Sequence, residues 1–137
     1  MSQDVWLNLP VKNVARSAAF FTAIGFTPNP GPGNSEHSAS FLIGEKKIVL
    51  MLFAQEVFSG FTSHAVSDTS KGTEVLFSLG VDSREQVDDI AVRVKAAGGA
   101  VFGEPRQSNG FMYGCGFSDP DGHRWNVLFM DAAKMPK

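Results

Sequence analysis

The side chains that could do chemistry in this chain are few and scattered. Cys115 is the one thiol. It has no nearby Lys or Arg on its strand face and no readable His partner, so nothing would activate a thiolate, and the expected role is a small buried hydrophobe. His37 and His64 fall in expected loops, and His123 follows an Asp-Gly turn. None forms a His-x-x-x-His pair, so no zinc motif supports them, and His123 reads as a turn residue rather than a proton carrier. Gly110, Gly114 and Gly116 superficially suggest a phosphate loop, but they lead into a strand instead of opening a helix. That removes the cradle of amides that phosphate binding needs, and nucleotide binding is discarded.

The elements that must position any site are set first by size and composition. The chain has 137 residues, close to the prior of roughly 150 per domain, and 43% hydrophobic content with twelve Phe supplies a core. Twelve Lys plus Arg against fourteen Asp plus Glu give a net charge of −2, without the clustered cations that nucleic acid requires. One Cys rules out an intramolecular disulfide, no leader is readable, and no apolar run approaches the roughly 20 residues that span a bilayer, so a cytoplasmic protein is expected.

Along the chain, Val5 to Val11 is β-rich and partly alternating, which predicts a strand. Asn13 is a candidate N-cap, and Ser17, Phe20, Phe21 and Ile24 recur at helical spacing before Gly25 stops the helix. Asn29 to Asn34, with two Pro and two Gly, must be a loop. Phe41 to Ile43 and Ile48 to Phe53 predict two strands around a turn at Gly44 to Lys46. After a stretch where Val57, Phe58 and Phe61 could line a helical turn, Val75 to Val81 repeats the opening strand. Ser83 with Gln86 fits a capping box, and Val87, Ile90, Ala91 and Val94 repeat the helical stripe before Gly98-Gly99. Ala100 to Phe102, Met112 to Ser118 and Trp125 to Met130 predict the closing strands.

The halves superpose as patterns. Val11 aligns with Val81, which sets Asn8 against Ser78 and Leu9 against Leu79, and Gly44 aligns with Gly122. The expected fold is α+β: two tandem βαβββ modules forming a curved, barrel-like mixed sheet. Module one covers about 4–55, a linker about 56–72 and module two about 73–131, all within one domain spanning 1–137.

Leu9 to Phe21 followed by Ile24-Gly25-Phe26, and Phe117-Ser118-Asp119-Pro120-Asp121-Gly122-His123 before a final strand, resemble the glyoxalase/bleomycin-resistance/extradiol-dioxygenase superfamily, also called vicinal oxygen chelate proteins. Thr73 to Leu76 and Gly110 to Gly114 are similar to its lactoylglutathione-lyase-like bacterial members. The resemblance implies paired modules, a homodimer and, in the enzymes, one divalent metal held by His, Glu or Gln. Carried over residue by residue, those ligand positions fall on Trp6, Leu76, Asn126 and, within a residue, Met51. Trp, Leu and Met are not ligands for hard cations, and an Asn amide is a weak one.

Several residues could still carry function. Asn8, Ser78 and Asn126 would face inward if they share the pleat of the ligand positions, where neutral groups orient a ligand without the desolvation penalty of charges; equally, Asn8 could bond neighbouring backbone. Trp6, Met51, Phe77, Met112, Tyr113 and Trp125 could line a pocket or be core, with Met112 and Tyr113 after Gly110 at a flexible lip. The expectation is a protein that binds a small molecule with no metal cofactor, through Trp6, Asn8, Met51, Ser78, Met112, Tyr113 and Asn126, similar to the drug-sequestering branch of the family. The rival is a metal-dependent lyase, isomerase or dioxygenase with Glu74 as catalytic residue and Glu74 and Asn126 as metal ligands, His64 or His123 swinging in; Glu74 could equally be a salt-bridged strand residue. A third reading is an interaction scaffold whose cavity is filled by Trp6, Met51 and Trp125. Lys71, Arg106 and Arg124 are loosely placed candidates for an anionic glutathione conjugate.

Overall fold

The computed structural model describes residues 3–136. Two βαβββ modules follow each other. The first comprises β1 (Trp6–Val11), α1 (Val14–Ala23), β2 (Thr27–Pro28), β3 (Ser38–Ile43) and β4 (Ile48–Ala54). A helix, α2 (Gln55–Thr62), comes next. The second comprises β5 (Leu76–Gly80), α3 (Arg84–Ala96), β6 (Ala100–Ser108), β7 (Met112–Ser118) and β8 (Arg124–Met130), with a final 3-10 turn over Ala132–Lys134. The strands hydrogen-bond as two separate four-stranded sheets and not as one closed barrel, in the matching orders β1-β4-β3-β2 and β5-β8-β7-β6. In each module the first and last strands run parallel and the rest antiparallel. The chain divides into compact units at Asp68 and Thr69, so α2 belongs with the first module.

Local chemistry explains the helices. The Asn13 side chain accepts from the Arg16 N–H at 2.9 Å and closes the start of α1. At its other end Gly25 takes φ +110°, the Gly25 N–H donates to the Thr22 carbonyl, and the Phe26 N–H donates to the Phe21 carbonyl, a Schellman stop completed by stacking of Phe26 on Phe21. For α3, Ser83 accepts from the Gln86 N–H. Gln86 Oε1 accepts from the Asp82 N–H, one residue beyond the N-cap that the expected capping box would use.

Each sheet has one face packed on its helix. Phe20 and Phe21 of α1 and its C-cap Ile24 are buried, as are Leu9, Val11, Ala39, Phe41, Leu50 and Leu52 of the first sheet. In the second module the buried set is Val87, Ala91 and Val94 of α3 with Cys115, Phe117, Trp125 and Val127. Each of the larger aliphatic and Phe side chains among them contributes roughly 1.5–3 kcal/mol on burial.

Three expectations are corrected. The segment read as linker carries α2, because Val57, Phe58 and Phe61 do form a helical face. The strand expected at Ala100 to Phe102 runs on to Ser108 through register shifts around Gly103, since Gly103 and Pro105 interrupt the ladder without ending it. Glu74 lies on an exposed bend ahead of β5, outside the strand face expected for it.

One consequence concerns Gly114. A Cβ there would lie 2.7 Å from the Val127 carbonyl oxygen and from Leu128 Cδ2. Gly114→Ala is expected to lower stability by about 1–3 kcal/mol in urea unfolding. Gly60→Ala, where a Cβ meets nothing within 4 Å, should raise stability by about 0.5–1 kcal/mol. Equal effects at the two positions would contradict the packing.

Candidate functional site

The face of the first sheet turned away from α1 carries the candidate site. Alternation along the strands puts Trp6 and Asn8 of β1, Val49, Met51 and Phe53 of β4, and Ser40 of β3 on this face. They line a cavity of about 640 Å³. Phe58, Phe61 and Thr62 of α2 and the loop residues Asn29, Pro30, Pro32 and Gly33 complete its walls. α2 is held to the sheet by Phe61 packed edge-on against Phe53, with ring centroids 5.1 Å apart.

The loop is stitched to β3. The Asn29 N–H donates to the Ser40 carbonyl at 2.9 Å. Asn29 Nδ2 donates to Ser40 Oγ at 3.0 Å, and the Ser40 N–H donates to Asn34 Oδ1 at 3.0 Å. Gly33 permits this approach: a Cβ there would sit 3.3 Å from Ser40 Cβ and 3.4 Å from Met51 Cε.

The polar groups of the cavity are neutral. No ionisable side chain is among the described residues that line it. Asn8 makes no side-chain hydrogen bond among the described residues, so its amide does not serve the neighbouring backbone. Trp6 is 64% exposed and presents an aromatic wall to solvent. Such a surface can hold and orient an organic molecule through apolar contact and neutral hydrogen-bonding groups.

The corresponding face of the second sheet differs. Ser78 and Asn126 are register partners there, Ser78 exposed and Asn126 lining a shallow cleft of about 230 Å³ with Phe102, Gly114 and Gly116. Asn126 Oδ1 and Arg124 Nε are buried without a hydrogen-bond partner among the described residues. Phe102 lies under the Arg124 guanidinium at 4.4 Å and fills the space above Gly116, where any Cβ would collide with the ring.

Other expected site residues are placed elsewhere. Tyr113 shares its face with Cys115 and Phe117; its hydroxyl donates to Asp88 Oδ1 at 2.7 Å and Arg84 lies over its ring, so it packs toward α3. The Asp88 hydrogen bond raises the Tyr113 phenol above its ordinary value. Met112 pairs with Met130 at the start of β7 and lines neither cavity. Glu74 is exposed and lines neither. Trp125, required by a filled cavity, is wholly buried on the α3 side, stacked on Phe117. Phe77 packs against Trp125 with its ring tilted by 47°. The structure thus brings together Trp6, Asn8 and Met51 on one cavity and Ser78 with Asn126 on the other sheet. Asn29, Ser40, Phe53, Phe58 and Phe61 are lining residues that the spacing did not single out; Phe58 and Phe61 were visible only as a helical turn.

The Asp-Pro-Asp-Gly turn is structural. Asp119 Oδ1 accepts from the Asp121 and His123 N–H groups at 3.0 Å each, and Oδ2 accepts from Trp125 Nε1 at 3.2 Å. Burial raises the Asp119 carboxyl, opposed by the His123 charge and by these donors.

The pattern of the Glyoxalase/Bleomycin resistance protein/Dioxygenase superfamily matches residues 5–127. The chain belongs to this superfamily. A hypothetical protein from S. aureus is 37% identical with a TM-score of 0.82, the match covering 94% of this chain and 95% of that one. A glyoxalase-related enzyme from Fulvimarina pelagi is 20% identical, TM-score 0.79, covering 94% and 88%. A fosfomycin resistance protein from Listeria monocytogenes, complexed with Mn(II) and a dihydroxypropylphosphonic acid, is 18% identical, TM-score 0.70, covering 98% and 96%. No protein of curated function matches the chain.

The superfamily's divalent metal does not fit the residues present. The positions that the resemblance assigns to it carry Trp6, Leu76, Asn126 and, within a residue, Met51, one weak oxygen donor in all, and among the described residues no three His, Cys, Asp or Glu converge.

Cys115 is no substitute nucleophile. Burial, with the Asp88 and Glu104 charges adding, pushes its thiol from the ordinary 9.0 up to about 11. The unfolded chain's thiol ionises first, so this group's contribution to stability is intact below pH 9.0 and lost as pH rises to about 11. Wild type is expected to lose stability relative to Cys115→Ala across that window. At about pH 8 a thiol reagent should label the native protein only as fast as it opens; immediate stoichiometric labelling would contradict this placement.

Proposed function

We propose that this superfamily member captures a small organic molecule on the open face of its first sheet, without the divalent metal of its enzymatic relatives. The observation that carries the reading is the cavity of about 640 Å³ walled by Trp6, Met51, Phe53, Phe58 and Phe61 and edged by Asn8, Asn29 and Ser40. Its volume is in the range of small-molecule sites, and its mix of apolar wall and few neutral polar groups is what such sites use. We infer further that the protein acts as a cytoplasmic homodimer, as expected from the resemblance. Ser78, Asn126, Tyr113 and Met112, all on the second module, have no part in it.

The rival, a metal-dependent lyase, isomerase or dioxygenase organised around Glu74, makes the opposite demand on the protein. Protein purified without chelator is expected to contain well under one equivalent of divalent metal, and added Mn(II), Zn(II) or Ni(II) should not raise its Tm. A ligand of the cavity should raise stability by mass action, about 2.7 kcal/mol at a hundredfold excess over its Kd. One tightly held metal per chain, lost in Glu74→Ala or Asn126→Ala, would overturn the proposal in favour of the enzyme.

A further inference from the structure

We propose that the molecule held by the first-sheet cavity is uncharged, flat and fused-ring, with a lactam or carboxamide edge; this rests on the capture reading above and narrows it. Charge is decided by what the lining lacks. With no ionisable side chain among the described residues at the cavity, an anionic or cationic ligand would give up hydration and meet no counter-charge.

Shape follows from the strand register. Asn8 is the register partner of Met51 across β1 and β4, and Met51 is the partner of Ser40 across β4 and β3. These three side chains therefore form a row across the sheet, a thioether flanked by two polar ends, spanning two strand spacings or roughly 10 Å. Two fused six-membered rings fill such a row. A polarisable thioether floor beneath and the Trp6 and Phe53 rings at the neighbouring positions favour an aromatic face over an aliphatic one.

The edge is set by Asn8. Its carboxamide, without a partner among the described residues, holds an acceptor beside a donor in one plane. A cis-lactam or carboxamide answers both at once through a pair of N–H···O=C hydrogen bonds and remains uncharged. At the far end Ser40 is buried and its Oγ accepts from Asn29 Nδ2, which leaves Asn29 Oδ1 to meet a polar substituent.

Isothermal titration of the full chain with four probes tests the assignment: 2-quinolinone, quinoline without the lactam, quinoline-2-carboxylate with a charged edge, and 2-piperidinone without the aromatic ring. The expected result is that 2-quinolinone binds at least about tenfold more tightly than each of the others, and that Asn8→Leu removes this advantage over quinoline. Asn8 is exposed, so the variant should fold as the wild type does. Gly33→Val, which projects a side chain toward Ser40 and Met51, should weaken whichever probe binds. If the carboxylate or the aliphatic lactam binds as well as 2-quinolinone and Gly33→Val weakens it, the ligand class is wrong and the cavity reading survives. If no probe binds, or none responds to Gly33→Val, both fail.

Discussion

A four-stranded sheet has two faces, and each module here owns one long helix. α1 and α3 each cover one face, and the alternation of side chains along a strand then leaves every second residue facing the other way. What occupies that second face decides what the module can do. The β-rich runs, the capped helices and the Schellman stops all serve to fix which residues alternate outward, and the site is the product of that parity.

The two modules answer the same constraint differently. By register, Trp6 corresponds to Leu76, Asn8 to Ser78, Val49 to Arg124, Met51 to Asn126 and Ser40 to Gly116. In the second module Gly116 admits the Phe102 ring, which Arg124 covers, so the protein's own side chains take up part of the open face. In the first, Ser40 is tied to the Asn29 loop and α2 stands over the strands, which leaves a space between them. The duplicated scaffold thus carries one face partly occupied by Phe102 and Arg124 and one that is hollow, apolar and uncharged. Trp6 and Met51, at positions the resemblance assigns to metal ligands, serve as wall and floor of that hollow.

Much of this was readable in the chain itself. Ser17, Phe20, Phe21 and Ile24 mark one helical face, Asn13 and Gly25 its ends, and the alignment of Val11 with Val81 the duplication; each is a local signal, and each is realised. The superfamily was readable because its start motif and its Asp-Pro-Asp-Gly turn reflect local needs: Asp119 alone organises three donors. What was not readable is tertiary. Nothing local says that α2 lies against β1 and β4, or that Asn29 reaches Ser40, and two-residue β2 is too short for any periodicity. Tyr113 was a question of parity: its alternation with Cys115 and Phe117 pointed toward the helix, but the neighbouring Gly110 suggested a lip. Glu74 failed as a strand residue because β5 begins at Leu76, after the bend.

The central claim is that the first sheet's open face, and not its counterpart, receives an uncharged organic ligand. The most direct measurement is the set of side-chain amide resonances of Asn8, Asn29 and Asn126 in nitrogen-15-labelled protein as 2-quinolinone is added. The account expects Asn8 and Asn29 to shift saturably and together while Asn126 stays in place. Movement of Asn126 alone, or no movement of Asn8 at saturation, would contradict it.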